Sequence, residues 1–117
     1  MTGTIDRIRD ATIRANNVAE LRAFYNRIGF GELFARGDDF VVFAAGNSEL
    51  VIHRVADQPK AAIGLAFQVD DMAPIAERLR RAAIPFEGPK QLRPGMIGIQ
   101  LTDPNGNFVE FVQPAHR

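Results

Sequence analysis

The sequence has no cysteine, which excludes disulfide frameworks, thiolate catalysis and cysteine-bound zinc as explanations of its function. It also has no excess of charge, since 14 Lys and Arg residues balance 14 Asp and Glu residues. A protein with this balance has no net field that would attract nucleic acid or an anionic membrane. No apolar run approaches the roughly 20 residues that span a bilayer. The first ten residues alternate charges and lack the apolar region of a signal peptide. We therefore expect a cytoplasmic protein that binds neither nucleic acid nor membrane.

The length of the chain favours a single domain. It has 117 residues, 46% of them hydrophobic and 24% charged, which is the composition of a globular protein. This length is too short for two ordinary domains. We expect one domain that covers residues 1–117.

The first half of the chain combines a strand, a helix and three further strands. Asp10–Ala15 alternates apolar and polar residues, which is typical of a half-buried strand. Apolar residues then recur at helical spacing from Val18 onward. Asn17 and Glu20 have the spacing of a capping box, and Gly29 suits the end of the helix. The turn sequences RGDD and AGNS predict three short strands, near Gly31–Ala35, Phe40–Ala45 and Glu49–Val55.

The second half repeats this order. IGLAFQV, residues 63–69, alternates like a strand, and DDMAPIAERLRRAAI, residues 70–84, has the apolar spacing of a helix. Pro74 falls in the first turn of that helix, where its missing N–H costs little. The sequence DPNG predicts a tight turn before the last strand. The expected strands after the helix lie near Phe86–Lys90, Ile97–Thr102 and Phe108–Gln113.

The repeated order predicts an α+β fold of two βαβββ modules in tandem. Module one should cover about residues 7–56 and module two about residues 61–114. Neither module can bury the inner face of its sheet alone. We therefore expect two open, paired half-barrel sheets around a central cavity, closed within the chain or by a second chain. In each strand, alternate residues should pack on the helix and the others should face the cavity, where a ligand would bind. Sheet edges that stay open predict a homodimer.

Two motifs in this arrangement resemble those of the vicinal-oxygen-chelate superfamily, which includes glyoxalases, bleomycin-resistance proteins and extradiol dioxygenases. FYNRIGF, Phe24–Phe30, resembles the end of the family's first helix. DPNGNFVEF, Asp103–Phe111, resembles the family's closing hairpin. The compact length and the strand SELVIHRV look closest to the bleomycin-resistance branch. The resemblance covers nearly the whole chain.

The resemblance implies four positions at which the family's enzymes hold a divalent metal, on the first and last strand of each module. Strand parity and the register of the two helices place these positions at Asp10, Val51, Gly64 and Glu110. Val51 and Gly64 have no donor atom, and two carboxylates alone make a poor site for a transition metal. We therefore favour a protein without a cofactor that sequesters a small organic molecule.

Two enzyme hypotheses stay open beside this one. His53 lies on the same strand face as Val51, about 7 Å further along. A divalent-metal-dependent lyase, isomerase or dioxygenase could thus use an altered site of Asp10, His53 and Glu110. Alternatively, Glu110 or His53 could move a proton without a metal. Each residue also has a purely structural interpretation, as a solvated carboxylate or an exposed strand histidine.

Residues with the same inward parity as Glu110 should line the cavity and bind the ligand. Polar groups would form its walls, and Phe43 or Val41, together with Phe108 and Val112, would form an apolar floor, although core packing is the common role of phenylalanine. The basic cluster RLRRAA, residues 78–83, is expected to be a solvated helix face, and His116 in the terminal tail to be uninvolved. The predicted ligand-binding residues are Arg14, Phe43, His53, Gln68, Gln100 and Glu110.

Overall fold

The computed structural model describes residues 3, 5, 8–57 and 62–114, and it confirms the α+β fold of two βαβββ modules. The start of predicted module one at residue 7, the start of module two at residue 61, and His116 lie outside the described residues. We call residues 10–54 module one and residues 64–114 module two. The helices and strands are β1 Asp10–Ala15, α1 Val18–Ile28, β2 Glu32–Arg36, β3 Phe40–Ala45, β4 Ser48–Arg54, β5 Gly64–Gln68, α2 Met72–Arg81, β6 Glu87–Arg93, β7 Met96–Thr102 and β8 Phe108–Pro114.

Each module folds into one four-stranded sheet. Sheet one has the strand order β1-β4-β3-β2, and sheet two has the equivalent order β5-β8-β7-β6. The first strand of each module lies parallel to the last, because the helix carries the chain across the sheet between them. The remaining neighbours are antiparallel and joined by short turns. Both sheets are open, so among the described residues each has two edge strands that pair on one side only.

Helix α1 begins after Asn17 and ends at Gly29, as predicted, and Gly29 adopts the left-handed conformation that suits glycine. The predicted capping box does not form. Asn17 makes no side-chain hydrogen bond to the α1 backbone, and its Nδ2 instead donates to the Glu20 carboxylate at 3.0 Å. The predicted helix over residues 70–84 is shorter at both ends. Asp71 is extended and caps α2 by accepting from the Ala73 N–H at 3.1 Å, and Ala83 has a φ of 56° that no longer continues the helix. Within the described ranges, no helix is long and apolar enough to cross a membrane.

The two modules meet through their helix sides. Helix α1 contacts helix α2, and the buried residues of both modules form one continuous core. Phe30 lies at the junction, with its ring centroid 4.9 Å from that of Phe67 and 6.2 Å from those of Phe43 and Phe111. Each large side chain that is fully buried in this core contributes roughly 1.5–3 kcal/mol. Because the modules pack together through their helix sides, the opposite face of each sheet is left open. We call these two faces the open faces.

A charged cluster holds edge strand β2 against α1. Arg22 donates to both carboxylate oxygens of Glu32, at 2.6 and 2.8 Å, and Asn26 donates to the same carboxylate at 2.8 Å. These hydrogen bonds, from Arg22 first and then Asn26, lower the pKa of Glu32 to about 2. The cluster holds β2 in place. This strand carries Phe34 and Arg36, which lie on the open face of sheet one.

Candidate functional site

Cross-strand register arranges the side chains of each open face into rows that run across the sheet. Residues directly opposite each other on neighbouring strands point to the same face. Three rows matter for the site, and each is named by its chemistry. They are the cationic–aromatic row of Arg14, His53, Phe40 and Arg36, the apolar row of Thr12, Val51, Val42 and Phe34, and, on sheet two, the carboxylate row of Ala66, Glu110, Gln100 and Glu87.

The cationic–aromatic row combines three exposed basic side chains with one ring. The Phe40 ring lies 5.8 Å from the His53 ring and 6.2 Å from the Phe34 ring. The Arg36 guanidinium carbon lies 5.5 Å from the centroid of Phe40, within the range of a cation–π contact. Phe34 is 54% exposed. Sheet one therefore presents aromatic surface and positive charge together on its open face.

The carboxylate row lies in a groove of about 560 Å³ on sheet two. Glu110 and Gln100 are both half-buried, and Gln100 Nε2 donates to Glu110 Oε2 at 3.0 Å. Phe86 and Phe108 line the same groove; Phe108 is 63% exposed, whereas the Phe86 ring lies 5.8 Å from the Arg80 guanidinium carbon of α2. The amide holds the carboxylate in one orientation, so that it can accept hydrogen bonds from a ligand beside apolar walls.

A second cavity, of about 660 Å³, lies between the two modules. It is lined by Asp10 and Glu49 at the start of sheet one, by Phe30 and Arg78 at the junction of the helices, and by strand β5 with Gln68. Asp10 and Glu49 lie opposite each other on β1 and β4. Two half-buried carboxylates and a guanidinium thus occur in one mainly apolar cavity.

The predicted ligand-binding residues do not form one cluster in a single chain. Arg14 and His53 are neighbours on sheet one, and Gln100 and Glu110 are bonded on sheet two. Gln68 lies on edge strand β5, at the inter-module cavity. Each pair lies on the open face that strand parity predicts. Whether they bind a ligand stays a prediction.

Phe43 differs from its predicted place. It is fully buried on the helix side of β3, where it packs near Tyr25 and Phe30, so it cannot form the floor of an open face. The strand phase instead places Phe40 and Val42 on the open face. Phe34, Phe40 and Arg36 are the site residues that sequence reasoning missed. The signal for them was the turn RGDD, whose length fixes the register of β2 on β3.

The donor set does not fit a metal. Val51 lies between Thr12 and Val42, and Gly64 lies opposite Phe108, so of these neighbours only Thr12 has a side-chain oxygen, a hydroxyl that donates to Asp10 at 3.4 Å. His53 on β4 lies opposite Arg14 on β1. Arg14 is four residues beyond Asp10, so His53 lies about 13 Å along the sheet from Asp10. Glu110 lies on the other sheet. Among the described side chains, no three of His, Cys, Asp or Glu are placed to hold a metal ion.

Comparison with known proteins places this geometry among related folds. The sequence model of the Glyoxalase/Bleomycin resistance protein/Dioxygenase superfamily matches residues 4–111. The fold is similar to that of a glyoxalase family protein from Bacillus anthracis, with 27% identity, coverage of 97% of this chain and 99% of that chain, and a TM-score of 0.81. No curated protein matches the sequence.

Two structures described as those of antibiotic- or bleomycin-binding proteins are similar in fold. A bleomycin-binding protein complexed with bleomycin is 18% identical, covers 93% of this chain and 98% of its own, and gives a TM-score of 0.75. An antibiotic-binding protein from Streptomyces sp. CB03234 is 23% identical, covers 94% of this chain and 97% of its own, and gives a TM-score of 0.78. At these identities the likeness shows the fold alone.

Proposed function

Because the chain belongs to the glyoxalase/bleomycin resistance protein/dioxygenase superfamily, we propose that it binds and sequesters a small organic molecule on its open faces without a metal ion. The observation that carries this proposal is the side-chain content of the four positions where the family's enzymes coordinate metal. Two of them, Val51 and Gly64, offer no donor atom, whereas the rows around them offer hydrogen-bonding groups and apolar surface. Such a face can bind an organic ligand but makes a poor chelator.

The carboxylate row supplies the polar contact of the proposed site. Glu110 is half-buried and oriented by Gln100, and Phe86 and Phe108 offer apolar area in the same groove. A ligand N–H or O–H that bonds Glu110 would fix the ligand's orientation, and burial of its apolar part would supply most of the affinity. The similar folds that bind bleomycin or another antibiotic support sequestration by analogy of fold.

The enzyme hypotheses gain less support from the geometry. A metal-dependent lyase, isomerase or dioxygenase that used Asp10, His53 and Glu110 would need one ion to reach both Asp10 and His53, which lie about 13 Å apart along sheet one. Proton transfer by Glu110 or His53 without a metal stays a hypothesis, and so does the cytoplasmic location. Sequestration needs only the binding faces that the chain has.

We propose a homodimer in which the open face of sheet one meets the open face of sheet two of a second copy. In one chain the modules share their helix sides, so each open face is one wall of a site. Each open face exposes an aromatic ring, Phe34 on sheet one and Phe108 on sheet two, which the facing sheet of a second copy would cover. Light scattering at micromolar concentration should give the mass of a dimer, and the mass of a monomer would contradict this arrangement.

Ligand binding without metal is tested by amide NMR of the ¹⁵N-labelled protein in EDTA, titrated with a library of small organic fragments. Fragments that bind should shift amides of the apolar and carboxylate rows. Glu110→Gln should weaken the fragments that contact sheet two about tenfold, about 1.4 kcal/mol, because it removes the charge that accepts their hydrogen bonds. Glu77→Gln, at an exposed position on α2, is the matched control and should change nothing. Binding that appears only after Mn²⁺ or Ni²⁺ is added would reject the proposal.

A further inference from the structure

We propose that the open face of sheet one recognises a planar aromatic anion, such as an aromatic carboxylate or sulfonate. The inference rests on the proposed function and specifies the chemical class of its ligand. It follows from the position of Arg14, His53, Phe40 and Arg36 in one continuous row across all four strands.

The apolar and aromatic side chains supply a surface for a flat ring. Val42 and Val51 are buried beneath the face, and the rings of Phe34 and Phe40 stand at one side of it with centroids 6.2 Å apart. A ligand ring can lie above the valines, each 8% exposed, and make edge or offset contacts with these phenylalanines. It would cover Phe34, which is 54% exposed in the single chain. Aromatic and arginine side chains that are exposed together are typical of binding hot spots.

The basic side chains supply the recognition of a negative group. The ion pairs found among the described residues include neither Arg14 nor Arg36, whereas the nearby Arg54 is paired with Asp39 at 3.7 Å. A guanidinium can bond a carboxylate or sulfonate through two parallel N–H groups, and His53 adds a further N–H donor. The anionic end of the ligand therefore has donors on both flanks of the aromatic surface.

The dimensions of the face fit a molecule of two or three fused rings. Three strand spacings separate Arg14 on β1 from Arg36 on β2, about 14 Å between the backbones. On the strands of this face, Asp10 and Glu49 lie four residues from the cationic–aromatic row, about 13 Å away, and in the turn beside the row Asp38 and Asp39 are ion-paired with Arg22 and Arg54. On sheet two, the carboxylate row has two carboxylates, of which Glu87 is ion-paired with Lys90 at 2.9 Å. Among the rows described, the cationic–aromatic row is therefore the one suited to an anion.

The test uses three probes that share one ring system and differ in charge: 2-naphthoate, 2-naphthamide and 2-naphthylmethylammonium. The chain has no tryptophan, so naphthyl fluorescence can be followed without an indole background. We expect 2-naphthoate to bind at least about tenfold more tightly than either other probe. Its affinity should fall with added salt, because the recognition is electrostatic. Amide NMR should locate the bound probe at the cationic–aromatic row.

Variants separate the role of charge from that of packing. Arg14→Gln and Arg36→Gln should each weaken 2-naphthoate about fivefold to tenfold and leave 2-naphthamide unchanged. Phe40→Leu should weaken all three probes. Arg27→Gln, at an exposed position in the last turn of α1, is the control and should have no effect. Amide spectra of each variant show whether its fold is intact, and Arg14→Lys, which keeps the charge but loses the bidentate fork, should show an intermediate loss.

The outcomes distinguish this inference from the function on which it rests. Equal binding of the amide or the ammonium probe, or naphthoate binding that ignores Arg14→Gln and Arg36→Gln, would overturn the inference and leave sequestration standing. Failure of all three probes, while other fragments still shift the rows in EDTA, would do the same. If no fragment shifts either open face, the proposed function fails as well.

Discussion

Replacement of Asp103 by alanine should lower the free energy of unfolding by about 3–5 kcal/mol. For a chain of this length the midpoint of thermal unfolding should fall by roughly 10–20 °C. Chemical denaturation is the direct measurement, and the slope of its transition should stay that of the wild type. Asp57→Ala, at an exposed position, is the matched control and should change stability by less than about 0.5 kcal/mol.

The size of this effect follows from the number of donors that depend on one buried carboxylate. Asp103 is 5% exposed and accepts from the Tyr25 hydroxyl at 2.7 Å, from the backbone N–H groups of Asn105 and Asn107 at 2.9 and 3.0 Å, and from Asn107 Nδ2 at 2.9 Å. Without the carboxylate these donors would be buried without acceptors. The turn would then lose every bond to the carboxylate, including its bond to helix α1, and would keep its backbone bonds from Asp103 N–H to Asn107 O and from Gly106 N–H to Asp103 O.

Tyr25→Phe separates the bond between modules from the bonds inside the turn. It should cost about 1.5–3 kcal/mol, the range of a hydrogen bond to a charged group. Burial, followed by the charge and hydrogen bond of Asp103, raises the pKa of Tyr25 far above its ordinary value of 10.0. Above pH 10 the folded chain keeps the Tyr25 proton whereas the unfolded chain loses it. The contribution of Tyr25 to the free energy of unfolding therefore declines as pH rises above 10. A loss in Asp103→Ala no larger than that in Tyr25→Phe would show that the turn does not depend on the carboxylate.

Local pattern was enough to predict both modules, because each strand and helix has its own period in the sequence. The alternation in Asp10–Ala15 and the parity of Glu110 against Val109 and Phe111 both match the structure. Parity failed at Phe43 because FVVFAA is apolar at every position and so has no period of two. There the phase is set by the register of β3 on β4.

The relation between the modules could not be predicted from local pattern. It depends on contacts between residues far apart in sequence, such as Phe30 with Phe67, and the bond of Tyr25 to Asp103. From the sequence alone, Asp103 is predicted only to be the first residue of the DPNG turn. Its second role, as an acceptor for a helix 78 positions earlier, appears only once the helices are packed. The rows of the open faces join residues from four strands. For the same reason, the sequence predicted only some of their members.

The proposed function predicts that the protein has no tight site for a divalent metal. An enzyme of this fold family needs several nitrogen or oxygen donors around one ion, and here two of the four positions are Val51 and Gly64. Asp10 and Glu110 alone would give the weak binding of two carboxylates. We expect affinity lower by orders of magnitude than that of a site with four side-chain ligands.

The most direct test of this account is titration of the EDTA-treated, dialysed protein with Ni²⁺, Mn²⁺, Zn²⁺ and Fe²⁺, with the metal content of the purified protein measured in parallel. We predict less than one equivalent of any of these ions in the purified protein and no stoichiometric binding at micromolar concentration. Tight binding of one equivalent, abolished by Glu110→Ala, would contradict the account.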